Sequence, residues 1–303
     1  MSTLPRTGGR RFQATQIRSL LLSVSLTLAS TAVLFAGVFA PGADARIYWT
    51  NISAGTVSSA RMDGTGVRKG FVRGLFNPFG LAANGRHLFW ADKNRGVIGR
   101  ARLDGSRVSR DFVRIPDWWT PAPIGVAVEG DRIFWTNGGN FIGRSRIDGR
   151  KAQPRFMRTK SDGFFGVDAN RRHIFWTALE RYSAHTIGRA RIDGTRQDRR
   201  FITTRRTGPV DVAATGDYVY WVNSNTDSIG RARVDGTHRN RNYIRTGRGV
   251  VSAVAVAGCH IYWADYWTGR IGRARLDGTG VRRSFIETGT VRGALRGLAV
   301  VPG

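Results

Sequence analysis

The sequence predicts an all-β fold, a six-bladed β-propeller of four-stranded antiparallel blades. Three observations predict it. A Trp-bearing phrase recurs six times, at Trp49, Trp90, Trp135, Trp176, Trp221 and Trp263, spaced by 41, 45, 41, 45 and 42 residues. Each copy is followed by a phrase ending in Asp-Gly, and the version "IGRARLDG" at residues 98–105 returns letter for letter at 271–278. The chain also ends in a spare copy of the strand that its first repeat lacks. Short β-branched and aromatic runs, broken by turn residues with a period in the low forties, make the pattern of a propeller blade.

The strands follow in order within each repeat. Strand A, expected innermost, is a run of small apolar residues: "GLAAN" from Gly80, "GVAVE" from Gly125, "GVDAN" from Gly166, "DVAAT" from Asp211, "AVAVA" from Ala253 and "GLAVV" from Gly297. Small residues suit the crowded axis. Strand B is the aromatic-Trp phrase, which starts at Ile47, Leu88, Ile133, Ile174, Val219 and Ile261. Strand C is the Arg-bearing phrase from Val57, Ile98, Ile142, Ile187, Ile229 and Ile271. Strand D carries an aromatic eight residues after the Asp of Asp-Gly: Phe71, Phe112, Phe156, Phe201, Tyr243 and Phe285. The Asp-Gly step predicts a tight type I′ hairpin between C and D, with φ > 0 at both central residues. Residues 297–301 are expected to join the first blade, which closes the ring and removes exposed edges.

Composition bounds the setting. The 303-residue chain is 41% hydrophobic, enough for a core, and its formal charge is +27. Lys69, Lys93, Lys151 and Lys160 are the only lysines, so 44 of the 48 basic residues are Arg. Such a field attracts polyanions in a salt-dependent way, although a biased composition serving solubility reads the same. Residues 1–45 read as an address. Arg6, Arg10, Arg11 and Arg18 precede an uncharged run, residues 19–40, and Ala43-Asp44-Ala45 supplies a signal-peptidase pattern. The expectation is a signal peptide or, because the uncharged run is long enough to span a bilayer, an uncleaved anchor. Either places residues 46–303, one propeller domain with charge +24, outside the cytoplasm or at the cell surface. Cys259 is the single cysteine, so no internal disulfide forms and stability must come from packing.

With the strands assigned, the letters resemble the YWTD repeats, also called low-density lipoprotein receptor class B repeats, a family of six-bladed propellers. "IYWTN" and "IYWAD" are similar to its Tyr-Trp-Thr-Asp, "IGRARLDG" to its Ile-x-Arg-Ala-x-Leu-Asp-Gly, and residues 297–300 to its Gly-Leu-Ala-Val. The fourth letter departs from the pattern. It is Asp at Asp92 and Asp265, Asn at Asn51, Asn137 and Asn223, and Ala at Ala178, so the polar contact of that Asp must be weakened or remade. The cysteine modules of animal receptors are absent, and endocytic receptor function does not carry over.

Six copies in one chain reveal which connections hold their length. The A–B and C–D hairpins are constant, whereas the B–C and D–A loops vary, and the alternation of strand direction brings both variable sets to one face. Function on a rigid frame concentrates in such loops. The two largest insertions are "IPDWWTPAP" from Ile115 and "ALERYSAH" from Ala178. The candidate binding residues are therefore Trp118, Trp119, Arg181, Tyr182, His185, Tyr266 and Trp267, aromatics and cations that the repeat does not require. Their alternative role is packing over the propeller mouth.

The arginines of strand C form two sets. Arg100, Arg144, Arg189, Arg231 and Arg273, with Ser59 in the first blade, match the family's Arg and are expected to pair with carboxylates between blades. Arg61, Arg102, Arg146, Arg191, Arg233 and Arg275 make a ring on the outer strands, either a grip for a polyanion or a solvated charge belt. Catalytic motifs are absent. His87, His173 and His260 repeat around the rim and cannot converge on one metal, and no zinc, P-loop, nucleophile-elbow or EF-hand spacing occurs. Glu129, Asp168 and Asp211 are expected to face the axis, where a propeller lyase or hydrolase could hold a metal. The sequence thus favours a monomeric, non-enzymatic propeller that binds a protein, glycan or anionic envelope polymer through its variable loops, with no cofactor and without nucleic acid as partner. A channel metalloenzyme and a purely structural surface protein stand as alternatives.

Overall fold

Strand B carries the most apolar run of each repeat, and in every blade it lies between strands A and C, buried along nearly its whole length. The computed structural model describes residues 45–115, 122–159, 163–179, 185–205, 207–247 and 249–302, all within a compact unit spanning Ala40–Gly303. These residues form six sheets of four antiparallel strands. The last strand, Leu295–Val301, is strand A of the first blade and pairs with Arg46–Asn51, Tyr48 opposite Ala299. The inner strands touch in sequence around the axis and back to the first, so the ring closes as the spare strand predicts. Among the described residues no helix is long and apolar enough to cross a membrane.

No blade holds a core of its own. Each of the six apolar clusters joins two neighbouring blades: Trp176 of the fourth packs with Phe134, Ile142 and Met157 of the third, and Trp49 of the first with Tyr262, Ile271 and Ile286 of the sixth. The Trp of each strand B faces the preceding blade and the aromatic before it faces the next. In register with five of the tryptophans stands the glycine of strand C: Gly99, Gly143, Gly188, Gly230 and Gly272. A Cβ at any of them would lie inside the indole. The first blade has Ser58 there, and its hydroxyl accepts the Gly70 N–H at 2.9 Å. The C–D ladder slips by two residues of strand D at this same position in every blade, a bulge that turns strand D away.

Two expectations are corrected. The C–D hairpin is not type I′. Gly105 N–H reaches Arg102 C=O at 2.9 Å, only the Gly of Asp-Gly is left-handed (φ 90 at Gly105), and Asp104 keeps negative φ. This is a type I turn closed by a left-handed Gly, and the Asp side chain accepts the N–H two residues on, at Ser106, at 2.8 Å. The strand C arginines do not seek carboxylates. Arg100, Arg144, Arg189, Arg231 and Arg273 lie 3.8–4.1 Å over the strand D aromatic of their own blade. Arg189 Nη1 then donates to Val234 O of the next blade at 2.7 Å and Arg231 Nη1 to Leu276 O at 3.3 Å. The reason is local: the turn aspartates are already committed to their own turns, and the nearest acceptor across the interface is a carbonyl of that turn. In the first blade, where Ser59 replaces the Arg, Tyr48 Oη donates to the equivalent carbonyl, Leu103 O, at 3.3 Å.

Gly188→Ala should lower the unfolding free energy by about 1–3 kcal/mol, since neither backbone nor indole can retreat. Gly216→Ala, with open space around it, should stay within about 0.5 kcal/mol. Equilibrium denaturation of the two variants checks the contrast.

Candidate binding face

The face built from B–C and D–A loops is held from below by the fourth letter of the Trp phrase. Asp92 accepts Phe76 N–H at 3.1 Å and Arg95 N–H at 3.3 Å, and Asp265 accepts the Trp267 and Thr268 N–H groups at 2.9 Å each. Asn51, Asn137 and Asn223 do the same work with amides, accepting from Ala54, Phe141 and Thr207. The contact at issue in the sequence is thus a loop anchor, and Asn substitutes for Asp because only an acceptor oxygen is needed.

Across the sixth, first and second blades this frame exposes apolar side chains that a lone surface would cover. Phe76 is 67% exposed, Val291 64% and Trp267 48%. Cations interleave with them. Arg292 lies 5.1 Å over Trp267, Arg296 is held between Tyr266 (3.9 Å) and Phe79 (4.9 Å), Lys93 lies 5.4 Å over Phe79, and Arg95 5.5 Å over Phe76. Alternating cation and ring make a surface with both apolar area and charge-assisted donors. Arg296 is its inner member. It lines the axial channel, burial draws its pKa below the ordinary guanidinium value, and its Nε has no partner among the described residues.

The channel has a volume of about 380 Å³ and is walled by inner strands of all six blades. Because every strand A runs away from the loop face, Arg296 sits at the near mouth, with Asp211 one repeat position deeper, Asp168 two further and Glu129 towards the far end. Asp168 and Asp211 line the channel as the sequence predicts, but their oxygens are engaged: Asp168 Oδ2 accepts Ala214 N–H at 2.7 Å and Asp211 Oδ2 accepts Val254 N–H at 2.9 Å, each on the next blade. Ser252 Oγ to Leu295 O (2.9 Å) and Thr136 Oγ1 to Phe165 O (2.8 Å) make the same step between neighbours. Among the described residues no three His, Cys, Asp or Glu side chains gather around a common point. Burial pushes the Asp168 and Asp211 carboxyls up to about 7, against the hydrogen bonds that favour ionisation.

Of the sequence-predicted residues, the structure brings Tyr266 and Trp267 into the ladder. His185 opens strand C of the fourth blade, two blades from them, with its carbonyl accepting Thr204 Oγ1 at 2.7 Å. Trp118, Trp119, Arg181 and Tyr182 lie outside the described residues. Arg61, Arg102, Arg146, Arg191, Arg233 and Arg275 are all exposed at the end of strand C, on the opposite hairpin face, so the charge ring and the aromatic loops are separate surfaces. His87, His173 and His260 pair in register with Arg102, Arg191 and Arg275, and their pKa is lowered by burial first and then by the strand C arginines, Arg100, Arg189 and Arg273 ahead of the register partners. Phe76, Phe79, Lys93, Arg95, Val291, Arg292 and Arg296 were missed. One signal was available: the residue preceding the strand A phrase reads Phe79, Ile124, Phe165, Val210, Ser252 and Arg296, with Arg296 the single charge.

No protein-family model matches the chain, and no curated protein matches it. Solved structures do. A chain in the crystal structure of a nidogen/laminin complex is similar over 84% of this chain and 98% of its own, with 19% identity and a TM-score of 0.71. The likeness is one of fold. A streptogramin B lyase aligns over 80% of each chain at 17% identity and TM-score 0.59, and virginiamycin B lyase from Staphylococcus aureus over 78% and 79% at 20% identity and 0.56. Propellers associated with complex formation and with lyase activity therefore share this architecture, and the side chains must decide between them.

The native protein holds more protons on Asp168 and Asp211 than an unfolded chain does between the unperturbed value of 3.8 and about 7. Their contribution to stability is therefore greatest at the acid end of that window and falls as pH rises through it. Asp168→Asn/Asp211→Asn, which keeps an acceptor oxygen and removes the charge, should flatten that fall and melt higher than the parent at pH 8. Thermal unfolding from pH 4 to 8 measures it.

Proposed function

We propose that this chain is a YWTD-type propeller that acts outside the cytoplasm as a binding protein and docks a macromolecular ligand on the loop face of the sixth, first and second blades. One observation carries the reading: the exposed Phe76, Trp267 and Val291 share that face with Arg95, Arg292 and Arg296, each guanidinium stacked on a ring. Pre-stacked guanidinium groups lose little freedom on binding, and rigid aromatics supply contact area, which is the composition of an interface hot spot. The nidogen/laminin complex supports the reading as a propeller of this architecture in a complex with a protein. The lyase reading has the channel acids in its favour, but the geometry spends Asp168 and Asp211 on backbone N–H groups of neighbouring blades.

The test is a salt-titrated screen of immobilised peptides, glycans and anionic envelope polymers against the parent and a Trp267→Ala/Arg292→Ala variant. The variant should bind the strongest hit about tenfold or more weakly, with an unchanged melting temperature. Equal binding by the two proteins would remove the loop face as the site.

A further inference from the structure

On the opposite face the third blade departs from its sisters. At the start of strand B, at two positions of strand C and at two of the C–D turn it carries Arg132, Arg144, Arg146, Arg150 and Lys151, where the sixth blade has His260, Arg273, Arg275, Thr279 and Gly280. Four of these cations, Arg132, Arg144, Arg146 and Lys151, line one cleft of about 290 Å³. Two acidic groups face them: Asp131, itself 67% exposed and 3.6 Å from Arg132 Nε, and Asp193 of the next blade, already committed to Thr195 of its own turn, and the four cations outnumber the two. Arg144 is fixed in place, stacked 3.9 Å over Phe156 with Nη2 donating to Gln153 Oε1 at 2.8 Å. Arg132 and Arg146 are register partners across strands B and C, so both side chains leave the sheet on the same face and enter the cleft lining together.

Three residues after the turn Asp, every blade turns left-handed. The first and sixth use Gly66 (φ 61) and Gly280 (φ 63), while the second to fifth place Arg107 (φ 51), Lys151 (φ 53), Arg196 (φ 50) and His238 (φ 52) there. A side chain in that region costs about 1–2 kcal/mol, and the exposed Lys151 makes no burial that offsets it. Three consecutive blades keep a cation at this position, Arg107, Lys151 and Arg196, so exposed charge continues to either side of the cleft.

We propose that this cleft is an anion site that takes a phosphate group borne on a linear polymer, with Arg102 and Arg191 of the adjacent blades engaging flanking groups along the chain. Guanidinium forks match phosphate oxygens two at a time, and Lys151 adds a point charge, so a multiply charged tetrahedral anion satisfies this donor set better than a single carboxylate does. Repetition of exposed arginines around the rim turns one weak site into an avid track for a polymer.

Calorimetric titration of the full chain at constant ionic strength, with inorganic pyrophosphate and with long-chain polyphosphate at equal phosphate concentration, tests the site. Pyrophosphate should bind the parent saturably, and Arg132→Ala/Lys151→Gly should weaken it about tenfold or more, while Arg275→Ala in the sixth blade leaves it unchanged. Lys151→Gly alone should bind more weakly yet melt no lower than the parent, because it relieves the left-handed side chain, and this separates loss of the site from loss of the fold. Polyphosphate should bind tighter than pyrophosphate, with a steeper salt dependence. Pyrophosphate binding that the double variant retains, or that sodium chloride at matched ionic strength abolishes, would overturn the site. Polyphosphate binding no tighter than pyrophosphate would overturn the polymer as its ligand.

Discussion

Everything in this molecule depends on the contact between one blade and the next. A single four-stranded sheet here has two apolar faces and no interior, so burial is achieved only by stacking each Trp face on the aromatic face of its neighbour. The same interface is clasped at its outer edge. The strand D aromatic is covered on one side by an Arg of its own blade and on the other by the turn glycine of the next, as Phe156 is by Arg144 and Gly194. That turn must present an acceptor carbonyl, a left-handed glycine and no bulky side chain, which accounts for an Asp-Gly step in all six copies. Closure by the C-terminal strand is then a requirement of burial, since an open array would leave two apolar faces in water.

Nearer the axis the clasp becomes polar. Small side chains let the inner strands approach, and hydroxyl or carboxyl groups reach across to backbone groups of neighbouring blades, as Thr50, which accepts Gly297 N–H of its own blade at 2.7 Å, donates to Phe79 O of the second at 3.1 Å. Asp168 and Asp211 belong to this set, and their raised pKa follows from the burial that the role imposes. A carboxyl whose proton affinity suits catalysis can therefore be a structural strut whose ionisation is merely costly. The two ends of the channel differ in kind: Arg296 and its aromatic partners at the loop mouth, carboxyls deeper in.

The frame frees both outer faces for other purposes. On the loop face, length and composition differ from copy to copy, and aromatic rings with their stacked cations collect over the sixth, first and second blades. On the hairpin face lengths are constant, and variation is confined to single letters, so the excess of cations in the third blade stands out only against its five sisters. Two surfaces of unlike chemistry, one of aromatic rings with stacked cations and one where exposed arginines outnumber the acids, suit partners of unlike chemistry.

The sequence by itself determined the blade count, the order of strands, the closing strand, the glycine-bearing strand C and the division into a constant and a variable face. Repetition makes these legible, because each is stated six times and chance differences cancel. Tyr266 and Trp267 were legible as aromatics the repeat does not need. The tertiary structure decided what the repeated letters touch: that the strand C arginines stack on rings and reach carbonyls, that the turn is type I with a left-handed glycine, and that Phe79, Tyr266 and Arg296 meet although they come from three different blades. Those contacts run between residues some 200 positions apart, Tyr266 and Phe79 sharing one guanidinium across the closed ring. Only the closure of the ring brings such residues within reach, and a local pattern of letters carries no record of that distance.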